Sequence, residues 1–128
     1  MSYNISRKTR GDFEATVARV KEALKSEGFG VLTEIDVAGT LKAKIGQDFR
    51  PYRILGACNP AYAFEALSQE PNIGVMLPCN VIVQRFDDGE VEVSSIDPAT
   101  AMRSVGNAKL EGIAGKVGDA LKRVIASL

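Results

Sequence analysis

The chain has 128 residues, sixteen basic and sixteen acidic side chains, no net charge and no histidine. A balanced charge with no visible Lys/Arg run argues against a nucleic-acid binder that works by neutralising phosphates. Without histidine, neither a Ser-His-Asp or Cys-His nucleophile nor a His-ligated zinc site can be built, and two cysteines cannot alone complete a structural zinc site.

The length and the 45% apolar, 25% charged composition are those of one ordinary globular domain spanning residues 1–128. No stretch approaches the roughly 20 apolar residues of a membrane span. The N-terminus lacks the apolar core of a signal peptide. Two cysteines in this setting predict reduced thiols and a cytoplasmic location. No phosphate-binding glycine motif is present.

In chain order, Tyr3 to Lys8 alternates as a short first strand. Asp12 caps a helix over about 12–27, with Phe13, Val17, Val20 and Leu24 on one face and Gly28 as its stop. Val31 to Val37 reads as a second strand with Val31, Thr33, Ile35 and Val37 on one side. A short inserted helix near 38–45 follows, closed by Gly46. Tyr52 to Cys58 is a strand in which Cys58 shares the parity of Tyr52 and Ile54, which fits a core position.

Asn59-Pro60 then starts a second inserted helix near 60–69. Asn accepts an orphan backbone N–H at the N-cap, and Pro suits the first helical position. Phe64 and Leu67 lie on one side of it, and it stops before Pro71. Pro71 to Pro78, broken by Gly74, reads as an extended connection. Val81–Phe86 and Val91–Ile96 flank Asp88-Gly89 as a hairpin, with Phe86 opposite Val91 and Arg85 opposite Glu92. That register puts Ile82, Phe86, Val91 and Val93 on one face and Val81, Val83 and Ile96 on the other. A second apolar face needs a cover, for which a partner subunit is one candidate.

Asp97-Pro98 opens a loop or helical turn holding Ala101, Met102 and Val105. From about 107 to 128 the last helix carries Leu110, Ile113, Val117, Leu121, Val124 and Leu128 on one stripe. Gly112, Gly115 and Gly118 fall within it, either permitting close backbone approach or simply tolerated at about 1 kcal/mol each.

This order predicts an α+β fold: a mainly antiparallel five-stranded sheet with two long helices on one face. The runs Gly28-Phe29-Gly30-Val31, Pro51 through Pro60, Leu77-Pro78-Cys79-Asn80-Val81 and Asp88-Gly89 resemble the family called domain of unknown function 302. The resemblance covers nearly the whole chain. It implies a TATA-box-binding-protein-like β-α-β4-α arrangement, often as a homodimer. It implies no established activity, and sharing that fold does not imply DNA binding.

The chemistry converges on the middle of the chain. Cys58, at a strand end ahead of a helix N-terminus, is exposed to the positive end of the helix dipole, which lowers a thiol pKa. Free cysteine is also among the most buried residue types, so Cys58 and Cys79 fit packing positions as well. The ligand-binding set read from the sequence is Cys58, Asn59 and Cys79, with Arg50 and Arg53 as added charge. No metal ligand set, catalytic residue or cofactor is assigned.

The favoured reading is a small-ligand binding module for an anion or a sulfur-linked metabolite. The alternative is a structural or regulatory homodimer, with no nucleic-acid or membrane partner. An enzyme would have to rely on the two cysteines or on Glu65, Glu70 or Asp97, none of which forms a paired-carboxylate spacing. A redox pair or a metal shared between the cysteines is the least favoured reading.

Overall fold

A computed structural model describes residues 2–128. Its elements are β1 (Asn4–Thr9), α1 (Phe13–Ser26), β2 (Gly30–Asp36), α2 (Val37–Ile45), β3 (Tyr52–Cys58), α3 (Pro60–Gln69), a 3-10 turn (Pro71–Met76), β4 (Cys79–Arg85), β5 (Val91–Ile96), α4 (Pro98–Arg103) and α5 (Ala108–Ala126). The five strands form one sheet in the order β1-β5-β4-β3-β2, and every neighbouring pair is antiparallel.

The long helices form where amphipathic periods and caps agree. Asp12 accepts the Ala15 amide at 2.8 Å to start α1, whose Val17, Val20 and Leu24 are buried. Asn107 accepts the Lys109 amide to start α5, which buries Leu110, Ile113, Val117, Leu121 and Val124. The two helices pack against each other and against one face of the sheet. There they meet Leu55, Ala57, Val81, Val83, Val91 and Val93, all at most 1% exposed. Burial of this single apolar layer is the main driving force for the fold. No helix among the described residues is long and apolar enough to cross a membrane.

The hairpin register differs from the sequence expectation by one residue. The Phe86 amide donates to Glu90 O at 2.9 Å and the Gly89 amide to Phe86 O at 2.9 Å, so the loop is the three residues Asp87, Asp88 and Gly89. Gly89 has φ +86°, as expected for the left-handed residue that ends a three-residue loop. Arg85 therefore pairs with Val91, and Val83 with Val93. A one-residue slip moves every side chain to the other face. All four valines thus share the core face, with Ile82 and Ile96 on the other, and the hairpin does not carry two equally apolar faces.

Four further differences have local causes. A bulge between Val31 and Thr33 breaks the alternation of β2, leaving Leu32 67% exposed. Val37 belongs to α2, which Asp36 caps through Gly39. In β3 the core parity belongs to Leu55 and Ala57, so Cys58, Tyr52 and Ile54 alternate away from it. Pro71–Met76 is a 3-10 turn rather than an extended connection.

Candidate functional site

A cavity of about 50 Å³ lies where the end of β3 and the start of β4 meet α3, α4 and α5. Cys58 and Asn59 reach it from the end of β3, Leu77, Pro78 and Cys79 from the entry to β4. Tyr62, Ala63 and Ala66 come from α3, Pro98 and Met102 from α4, and Ile113, Ala114 and Val117 from α5. No Asp, Glu, Lys or Arg lines it, and the walls are almost wholly apolar.

The sheet register brings the cysteines together. Cys79 pairs directly with Ala57, one residue before Cys58. Strand spacing and rise then put the two Cα atoms about 6 Å apart. Burial, and secondarily charge on neighbouring Cys58, push the Cys79 thiol up from 9.0 to about 11. At neutral pH Cys79 is therefore a protonated thiol packed against the core.

Asn59 acts as the cap of α3, its Oδ1 accepting the Tyr62 amide at 3.4 Å while its carbonyl accepts the Ala63 amide at 2.9 Å. Pro60 has no amide to offer. These bonds leave at most the Ala61 amide of the first turn for a ligand, so the helix N-terminus has little left with which to hold an anion.

The two arginines lie elsewhere. Arg53 begins about 17 Å from Cys58 along β3, at five residues of strand rise. It bonds Glu34 at 2.7 Å and Glu14 at 2.8 Å and lies over the Phe13 ring. Arg50 donates to Gln84 Oε1 at 2.9 Å and stacks over Phe49 and Phe86. Neither lines the cavity. Of the carboxylates considered for catalysis, Asp97 caps α4 through Ala99, and Glu70 accepts from Asn107. With Glu65, these too lie outside the cavity wall.

The sequence reading missed the other side of the cavity. Met102 belonged to an undecided turn, and Ile113 and Val117 looked like plain core positions on a helix stripe. They line the cavity with Cys79 from more than twenty residues away in the chain, for which no local pattern exists. Conversely, Phe64, grouped with Leu67 on one side of α3, is 75% exposed; it is Ala66 that α3 buries.

Comparison with known proteins gives one assignment and no activity. The family described as "Domain of unknown function DUF302" matches residues 5–128. A solved structure, the crystal structure of uncharacterized conserved protein DUF302 from Bacillus stearothermophilus, superposes with a TM-score of 0.91 at 28% sequence identity, covering 98% of each chain. No curated protein matches the chain.

Proposed function

We propose that this chain, which belongs to the DUF302 family of proteins of unknown function, is a small-ligand binding protein whose site is the cavity around Cys58, Asn59 and Cys79. The observation that carries the reading is the cavity itself: about 50 Å³ of apolar space with sulfur in its wall. An enclosed water needs roughly 10–15 Å³ on this measure, so the site suits an occupant of a few atoms. The absence of a charged wall residue and the engaged amides of α3 favour an uncharged or sulfur-linked ligand over an anion. The test is xenon uptake in solution, read as shifts of methyl resonances. Selective shifts at Ala114, Ile113 and Val117 that vanish in Ala114→Phe support the reading; no selective shift at saturating pressure defeats it.

A second reading, a homodimer, is favoured by the sheet face that α1 and α5 leave uncovered. Ile35, Ile54 and Ile82 stand in one cross-strand row there, with Ile35 46% exposed. Beside it α2 buries none of its residues, although a nine-residue helix has little stability of its own. Light scattering decides it: a dimer at micromolar concentration that Ile82→Lys dissociates supports it, and a strict monomer defeats it.

A further inference from the structure

We propose that the open face of the sheet carries a second binding site, a pocket over Glu92 that takes a primary ammonium ion with an apolar body. The proposal stands apart from the Cys58–Cys79 cavity and needs no occupant there.

The strand register assembles the floor. Tyr52 pairs with Gln84 across β3 and β4, and Gln84 with Glu92 across β4 and β5. Directly paired residues share a face, so the three side chains form one row about 10 Å long, at two strand spacings. Leu55, Val83 and Val93 have the opposite parity and fill the core. The row therefore stands on the face that α1 and α5 leave open.

Hydrogen bonds tie the row together. Arg50 Nε donates to Gln84 Oε1 at 2.9 Å, and Gln84 Nε2 donates to Glu92 Oε1 at 3.2 Å. Gln84 is only 7% exposed although neither long helix covers it, so its amide is held by these partners rather than by water. Burial raises the Tyr52 phenol most; Arg50 lowers it, and Tyr3 and Glu92 raise it, so these groups act together on one hydroxyl. Tyr3 arrives from just ahead of β1, where its carbonyl accepts the Asp97 amide at 2.8 Å.

Charge then selects the ligand. A pocket of about 330 Å³ lies over the row, with Tyr3, Tyr52, Gln84 and Glu92 in its wall beside Ile82 and Ile96. That volume falls in the range of about 300–1,000 Å³ for small-molecule sites. Glu92 is the only Asp, Glu, Lys or Arg in the wall, and its Oε2 has no partner among the described residues. The nearest cations are engaged elsewhere. Lys8, opposite Glu92 on β1, pairs with Glu90 at 3.4 Å. The Arg50 guanidinium lies over the Phe49 and Phe86 rings at 4.4 and 5.1 Å. A half-buried carboxylate with a free oxygen accepts a charge-assisted hydrogen bond, and tyrosine rings attract a cation. Ile82 and Ile96 give the rest of the ligand an apolar contact. An anion would meet repulsion from Glu92, and a neutral ligand would cover the carboxylate without pairing it.

The experiment follows the isoleucine methyl resonances of the full chain during titration with phenethylamine. Phenethyl alcohol and phenylacetate serve as neutral and anionic matches in shape. The expected result is saturable, selective shifts at Ile82 and Ile96 with the amine, and binding weaker by at least about tenfold with either match. Glu92→Gln keeps the side chain's shape and removes its charge. It weakens the amine at least about tenfold, the loss of one hydrogen bond to a charged group. Tyr3→Leu, at a side chain 72% exposed and so of little weight in the fold, weakens it about two- to fivefold. The proposal is overturned if Ile82 and Ile96 do not shift at millimolar amine, if the alcohol binds as well as the amine, or if Glu92→Gln binds as the parent does. Ile82 also stands in the row invoked above for a homodimer, so an interface closing this face would show as the first of these outcomes. The comparison of amine with alcohol uses the parent chain and decides the matter even where a variant fails to fold.

Discussion

Gly56 of β3 lies directly beneath Pro78: a Cβ built on this glycine would fall 2.8 Å from Pro78 Cγ and would overlap Thr33 Oγ1. The absent side chain lets the entry to β4 close over β3, and that closure helps set the cavity wall. Gly56→Ala is expected to destabilise the chain by about 1–3 kcal/mol, the range for forcing a methyl into a packed site. Urea denaturation measures it, and a midpoint equal to the parent's would show that Thr33 and Pro78 yield without cost.

Gly112 and Gly115 present the opposite case. A Cβ at either meets nothing within 4 Å, so these helix glycines are open to solvent and do not mediate close approach. Gly112→Ala and Gly115→Ala should each stabilise α5 by about 0.5–1 kcal/mol through helix propensity. Thermal unfolding reads the gain. A loss would mean that a surface not visible in the single chain packs on them.

Cys79 makes stability pH-dependent in the alkaline range. Its thiol titrates near 11 in the fold against 9.0 ordinarily. Between those values the native state holds a proton that the unfolded chain has released. Stability is therefore full below about pH 9 and falls as pH rises through 11, by about 3 kcal/mol at 1.4 kcal/mol per unit. Cys79→Ala should lose this segment of the pH profile. Parallel profiles for parent and variant in urea would contradict the burial argument.

Glu34 acts in the acid range with the opposite sign. Its bond to Lys21, ahead of the one to Arg53, holds its carboxyl below the ordinary 4.5. The stabilisation is present above that value and fades as pH falls through the lowered one. Because Glu34 is one-third exposed, Glu34→Gln should cost less than about 1 kcal/mol at pH 7, and nothing once the carboxyl is protonated. Chemical denaturation at pH 7 and pH 2.5 tests both limits.

What the chain's local order decided was the set of elements. Asp12, Asn59 and Asn107 mark helix starts because a capping side chain acts on the next few amides, and the stripes of α1 and α5 carry their own period. The α+β class followed from that order. Tertiary structure decided what no window of neighbours contains. The type of turn at Asp87–Gly89, fixed by two hydrogen bonds, set which faces of the hairpin the valines share. The bulge at Leu32 redirected β2. The same holds for the site: Cys58 and Asn59 stood out because a strand end and a helix cap adjoin in sequence. Met102 and Val117 border the same cavity as Cys79 only once α4 and α5 fold back over the sheet. Arg50 and Arg53, close to Cys58 in number, are carried away from it because an extended strand separates residues by its full rise.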